Sequence, residues 1–256
     1  MVTPFKTKFA PVCPAHIYEA FAENRYIPEQ ILLLAHDVVA NERKYEEVFS
    51  DPIWDNTNVI MDNSVVELGT AVDADMVSEA AQIVGADIVV LPDVMGVGEA
   101  STDATLEAWP HWYWKFRDYQ KMILIHGSSL GEWLYSAERM MHLEPDWIGI
   151  PRITEDTFCR DSGLHRFQLV DFAHAIFPEA KIHLFGFSND VHWDLFSACH
   201  PHVSSIDSAV PLRLRSSSLF SEPQGKRNNW WADCVFNEQM ITNCHLVDVY
   251  IERMSA

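Results

Sequence analysis

Asn58–Ser64 reads NVIMDNS, Asp73–Val84 reads DADMVSEAAQIV and Asp87–Asp93 reads DIVVLPD. The outer two are short, nearly continuous apolar runs, one ending in Asp62-Asn63-Ser64 and the other in Asp93. Such runs suit parallel strands covered on both faces better than half-exposed antiparallel ones. The middle stretch opens on an acidic residue able to cap a helix N-terminus, and helical spacing puts Met76, Ala80 and Ile83 on one face. The two outer runs start 29 residues apart, the size of one βα unit.

The same rhythm extends in both directions. Apolar runs recur at Lys8–Cys13, Ile31–Asp37, Met122–Ser128, Trp147–Arg152, Lys181–Phe187 and His202–Ser208, the first and last being the weakest. Helical patterns occupy Ser129–His142, Arg160–Phe177 and Asn189–His200. Eight units predict an α/β fold of the (β/α)8 TIM-barrel type, whose usual length is about 250 residues. The chain has 256. An open doubly wound sheet is the rival, but neither GxGxxG nor GxxxxGK[ST] occurs. We therefore expect one domain over 1–256, with the barrel at about 8–213 and a C-terminal loop and helix at 214–256.

Thirty-seven Asp and Glu against 18 Lys and Arg give a net charge of -19. That disfavours a protein that coats nucleic acid through a broad basic surface, though not one with a local basic groove. Arg213, Arg215, Lys226 and Arg227 form such a stretch, interrupted by only one acidic residue, Glu222. Ser216-Ser217-Ser218 and Gly225 make it loop-like: either a solvated loop or one that grips phosphates. Five scattered cysteines (Cys13, Cys159, Cys199, Cys234 and Cys244) point to a reducing, cytoplasmic compartment. No signal peptide is expected from the N-terminus, and no apolar run reaches the roughly 18 residues of a membrane span. No HExxH or cysteine-centred nucleophile motif is present, and a catalytic metal is not expected.

In a barrel of this kind the chemistry lies at the C-terminal strand ends. Those ends carry His36-Asp37, Asp62-Asn63-Ser64, Asp93, His126-Gly127, Pro151-Arg152, Gly186-Phe187 and Asp207-Ser208. Asp is a poor strand residue. A single strand-end Asp is as readily a helix cap as a site residue, but three at corresponding ends favour a shared site. Trp109, Trp112, Tyr113 and Trp114 are read as helix-to-barrel packing in preference to base stacking, and Trp230-Trp231 as the anchor of a C-terminal helix. His183, on a strand, is read as a core hydrogen-bonding residue.

With these residues in view, the chain resembles the tRNA-guanine transglycosylases. Asp207–Arg213, DSAVPLR, resembles that family's D-C-V-L-P-T-R signature, and Met61–Ser64, MDNS, its T-D-S-G element. Leu91–Asp93 stands where the family has a purine-reading Asp. His183–Phe187, HLFGF, resembles its Leu-Met-Gly-Val stretch, and Ile148–Pro151 its Gly-Gly-Leu segment. The order agrees from Ile31 to Arg213, and the likeness is greatest to the phage and bacterial relatives that insert 7-deazaguanines such as preQ0 into DNA. The resemblance implies Asp207 as nucleophile and Asp62 as general acid/base. It implies a base site at Asp93, Asn63, His126, Gly149, Ile150, Gly186, Phe185 and His36, with phosphate contacts at Arg213, Arg215, Lys226 and Arg227. Ser205 and Ser208 flank the nucleophile and would orient it.

There are departures from the family pattern. The Cys-x-Cys-x2-Cys zinc run is absent; only Cys234, Cys244 and His245 offer ligands, so structural zinc stays open and no cofactor is required. His126-Gly127 replaces Gln-Gly, and Ser64-Val65-Val66 replaces a Gly-Gly-aromatic, leaving Phe185 or Phe187 to stack on the base. The implied partners are nucleic acid, with DNA favoured over tRNA by compactness and the missing zinc run, and a free 7-deazaguanine base; a homodimer is allowed. Three alternatives remain: the same exchange on tRNA, a nucleoside or glycoside hydrolase on the same barrel, and a catalytically silent nucleic-acid-binding subunit.

Overall fold

A computed structural model describes residues 7–159, 165–187, 191–214, 231 and 234–254. Eight strands, β1 (Lys8–Pro11), β2 (Gln30–Leu34), β3 (Asn58–Asp62), β4 (Ile88–Val90), β5 (Gln120–Leu124), β6 (Trp147–Pro151), β7 (Lys181–Phe185) and β8 (Val203–Ser208), form one parallel sheet. Their order is β1-β8-β7-β6-β5-β4-β3-β2, and helices lie between them. The result is a nearly closed barrel of the (β/α)8 TIM type. At the seam between β1 and β2, the Tyr18 hydroxyl lies 2.7 Å from the Pro11 carbonyl and 3.3 Å from that of Leu32. One buried O–H thus spans the seam.

Strand periodicity divides the side chains into two sets. Ala10, Leu32, Leu34, Ile60, Ile88, Val90, Met122, Leu124 and Trp147 fill the barrel interior. The alternate residues, among them Phe9, Ile31, Leu33, Val59, Met61, Val89, Ile123, Ile148, Ile150, Ile182 and Ile206, pack outward against the helices. Both faces are buried, as the unbroken apolar runs require. Several of the strands stop before the end of their runs. Ile31–Asp37 is the clearest case: β2 stops at Leu34, and His36 and Asp37 lie in the first turn of the Ala35–Ala40 helix. In the Ala74–Val84 helix, Asp73 caps the N-terminus as its sequence suggests, accepting the Asp75 and Met76 N–H groups. Its buried face is Ala74, Val77, Ala80, Ala81 and Val84, so Met76 and Ile83 lie at the margins of the stripe.

One irregularity sets the direction of two key side chains. The β7–β8 register shifts by one residue, from Ile182↔Val203 to His183↔Ser205. A one-residue slip exchanges the faces of a strand. Val203 therefore packs outward while Ser205, beyond the bulge, turns in to meet His183. Asp207, two residues on, also faces in.

The aromatic cluster after β4 packs only in part. Trp112 is buried, but Trp114 is 74% exposed and Tyr113 48%, because consecutive helical positions cannot share one face. Trp231 packs on the cluster inside the barrel, while Trp230 lies outside the described residues. The C-terminal helix, Glu238–Met254, buries Met240, Cys244, Val247 and Ile251, and its Asn243 Nδ2 donates to the Pro211 carbonyl at 2.9 Å. This helix is tied to the chain that leaves β8. Among the described residues no helix is long and apolar enough to cross a membrane.

Candidate active site

Aspartates occur at both ends of the barrel, and their partners separate them by role. At the strand starts Asp87 accepts the Val59 N–H at 2.8 Å and Asp146 accepts that of Lys121 at 2.8 Å. These two satisfy backbone donors and hold the strand register. Asp62, Asp93 and Asp207, at the opposite rim, are held by different means.

Asp62 ends β3 inside the barrel and is buried. Its Oδ2 accepts the Ser64 N–H at 3.0 Å, and Asn63 Oδ1 accepts the Val65 N–H at 3.0 Å. Two successive side-chain-closed turns therefore fold Asp-Asn-Ser back on itself, and Ser64 sits at φ 64°, in the left-handed region. Burial pushes the Asp62 carboxyl well above the ordinary aspartate range. The nearby carboxylates of Glu67, Asp93 and Asp207 push it further, against the opposing Ser64 N–H. Glu67, in the short Val65–Leu68 helix, is a site residue that sequence reading missed; its only signal was its position five residues after Asp62.

Asp93 lies in a closed seat. Asn63 Nδ2 donates to its Oδ1 at 2.7 Å, and His126 Nε2 is 2.7 Å from its Oδ2. His126 Nδ1 accepts the Gly96 N–H at 3.1 Å, so the ring proton resides on Nε2 and is donated to Asp93. Asn63 Nδ2 also donates to the Leu91 carbonyl at 2.7 Å. Both residues were expected to touch a base, but their donors are already engaged and both are buried. Their place is beneath Asp93, fixing its orientation, with the remaining carboxylate lone pairs left to accept. Gly127 keeps this seat closed, since a Cβ there would lie 2.6 Å from the Trp133 backbone nitrogen. Gly127→Ala is expected to cost on the order of 3 kcal/mol, read as a lowered midpoint in urea.

Asp207, inside β8, receives both of its hydrogen bonds on Oδ1: from the Gly186 N–H at 3.0 Å and from His183 Nε2 at 3.1 Å. Oδ2 receives none among the described residues. His183 Nδ1 is 2.7 Å from Ser205 Oγ. With Nε2–H donated to a carboxylate, Nδ1 accepts from the serine hydroxyl, so Ser205, His183 and Asp207 form one chain. His183 is thus part of the site and more than a core residue. Ser208 Oγ accepts the Val210 N–H at 2.9 Å and shapes the turn after the strand.

The remaining expected base contacts divide. His36 donates its backbone N–H to Ser64 Oγ at 3.3 Å, and its buried Nδ1 has no hydrogen-bond partner among the described residues. That nitrogen is the one buried polar atom of the expected base contacts left to be satisfied among the described residues. Phe185 packs on the interior cluster, edge-on to His183 with ring centroids 4.5 Å apart. Its ring fills the space over Gly149, where a Cβ would lie 2.6 Å from the Phe185 Cε2. A base does not reach the Gly149 backbone while Phe185 holds this position. Ile150 faces the helices, and Phe187 packs outward against Phe9, so neither side chain reaches the barrel mouth. Gly186, at φ 70°, acts through its N–H on Asp207. Arg213 lies in the Pro211–Arg213 turn just past β8; Arg215, Lys226 and Arg227 lie outside the described residues.

Among the described residues no group of three His, Cys, Asp or Glu side chains is placed to hold a metal ion. Of the zinc candidates, Cys244 is buried against Tyr26 and His245 packs on the Tyr26 ring. Burial pushes the Cys234 thiol up to about 12. His200-Pro201-His202 has an H-x-H spacing, but His200 engages both ring nitrogens, one with the His202 N–H and one with Asp171.

Comparison with protein-family models finds no matching family, and comparison with curated proteins finds no matching relative.

Proposed function

We propose that the protein is a transglycosylase that exchanges guanine in DNA for a 7-deazaguanine base through a covalent Asp207–C1′ ester. One observation carries this reading: two carboxylates at the same barrel mouth are held in different ways. Asp62 is pushed toward its protonated form by burial and neighbouring acids. Asp207 is held on one oxygen by two N–H donors, with Oδ2 left to attack. That is the division of labour between acid and nucleophile in retaining glycosyl transfer.

In the first half-reaction Asp207 Oδ2 forms a bond to C1′ as the C1′–N9 bond breaks. The electron pair leaves with the guanine, which takes the Asp62 proton. In the second, ionised Asp62 removes a proton from the incoming base, whose N9 attacks C1′ and releases Asp207. Asp93, tied from below by Asn63 and His126, presents its free lone pairs to adjacent donors. Guanine and 7-deazaguanine offer such donors at the ring N–H and exocyclic amine, whereas adenine lacks the ring N–H. The target base must leave the stack to reach the barrel. DNA is preferred to tRNA because the sequence lacks the Cys-x-Cys-x2-Cys run of the tRNA enzymes.

The test is to supply purified protein with guanine-labelled DNA or tRNA, with and without preQ0, and to analyse the nucleosides by mass spectrometry. Release of guanine from DNA that depends on preQ0, with 7-deazaguanine appearing in the DNA, is the expected result. Release without added base would mean a hydrolase, exchange in tRNA alone would move the substrate, and no release from either would sink the proposal.

A further inference from the structure

We infer that Arg166 is a positioning residue for the Asp207 carboxylate, acting through the peptide unit that joins Phe185 to Gly186; its effect on turnover rests on the base-exchange reading above. Arg166, in the Arg166–Ile176 helix, is fully buried. Its Nη1 donates to the Phe185 carbonyl at 2.9 Å and its Nη2 to the Gly186 carbonyl at 2.9 Å. The Phe185 carbonyl and the Gly186 N–H belong to one planar peptide. That N–H is the donor to Asp207 Oδ1. The guanidinium therefore grips one side of a peptide whose other side holds the candidate nucleophile.

The segment needs such a grip. Gly186 lies at φ 70°, and a Cβ there would meet nothing closer than Arg152 Cβ at 3.7 Å, so little besides hydrogen bonding fixes the rotation of this peptide. Arg152 contributes its N–H to the Phe185 carbonyl and its Nη1 to the Phe187 carbonyl, but among the described residues only Arg166 grips Phe185 and Gly186 together. A planar fork serves two successive carbonyls, which a lysine ammonium does not reproduce. Donation to the carbonyl also polarises the peptide and strengthens its N–H as a donor. Arg166 is itself paired with Asp194, and its Nε lies 3.3 Å from Glu155 Oε2. With its charge offset in this way, its action on Asp207 is orientation and polarisation and not net charge. The other described groups that act on or face Asp207 are His183 on β7 and Asp62 on β3.

The experiment compares wild-type protein with Arg166→Lys, which keeps the cation beside Asp194 and loses the fork. The Asp207 carboxyl carbon, labelled with carbon-13 and assigned by its loss in Asp207→Asn, is titrated by NMR, and base exchange is measured on the DNA substrate. The Asp207 titration should move upward by about one unit as its donor weakens. The turnover number should fall about 10- to 100-fold with KM changed less than about twofold. A folded Arg166→Lys protein with an unmoved titration overturns the inference, even if its melting temperature falls. If wild-type protein exchanges no base, the functional reading fails while the carboxyl titration still decides the role of Arg166. Should Arg166→Lys not fold, Gly186→Ala replaces it: Arg166 stays, the peptide loses its preferred rotation, and the same upward shift is expected. An unmoved titration in that variant overturns the inference equally.

Discussion

Asp207→Asn is expected to abolish base exchange, by about 10⁴-fold or more, while leaving the barrel folded. The amide oxygen can still accept from Gly186 and His183, so both hydrogen bonds that seat the side chain survive. What is lost is the nucleophile: an amide does not form a stable glycosyl ester, and removal of a covalent catalyst typically costs several orders of magnitude. Wild-type protein incubated with DNA without incoming base should give a band on a denaturing gel that carries both protein and DNA. The Asn variant should give none. Undiminished exchange by Asp207→Asn would remove the covalent mechanism.

Asp62→Asn should slow exchange about 10²- to 10⁴-fold, the usual range for a general acid, and should at the same time make the protein more stable at neutral pH. The sign follows from linkage. The folded protein holds the Asp62 proton well above the ordinary aspartate value, while the unfolded chain releases it near that value. Between the two, folding must take up a proton. The contribution of Asp62 to stability is therefore fully present below the unfolded value and declines as pH rises toward the folded one, by about 1.4 kcal/mol per pH unit. An asparagine has no such proton to take up. Thermal melts from pH 4 to 8 should show a downward slope in the wild type that is reduced in Asp62→Asn, with the variant melting higher at pH 7. A gain of about 2–4 °C per kcal/mol is expected for a chain of this size. Equal slopes in the two proteins would mean that Asp62 is ionised in the fold. Exchange by the wild type should also fall as pH rises through the Asp62 value, since the leaving guanine needs its proton.

Those two effects pull in opposite directions on purpose-built chemistry. A carboxyl that is costly to ionise is an effective acid for the same reason that it weakens the fold. Glu67, Asp93 and Asp207 all add to that cost, and converging carboxylates account for part of the -19 charge.

The barrel was legible in the chain because its determinants are local. Runs such as NVIMDNS and DIVVLPD carry unbroken apolar stretches, Val59–Met61 and Ile88–Val90, and a parallel sheet covered on both faces buries them that way. Asp62, Asp93 and Asp207 could likewise be picked out, because a strand-end carboxylate goes against strand propensity. Tertiary structure decided how these carboxylates differ. Nothing in the sequence marks Asp62 as the one that keeps its proton; that depends on burial and on Glu67, Asp93 and Asp207 converging from three chain segments. Nothing marks His126 and Asn63 as the seat of Asp93, or His183 as a donor to Asp207, because those pairs lie 24 to 33 residues apart in sequence. The one-residue bulge that turns Ser205 inward and the buried Arg166 that grips the Phe185–Gly186 peptide belong to the same class. Apolar periodicity is a property of neighbours along the chain and specifies the barrel. The protonation and aim of its carboxylates are properties of neighbours in space, and only the closed barrel brings those together.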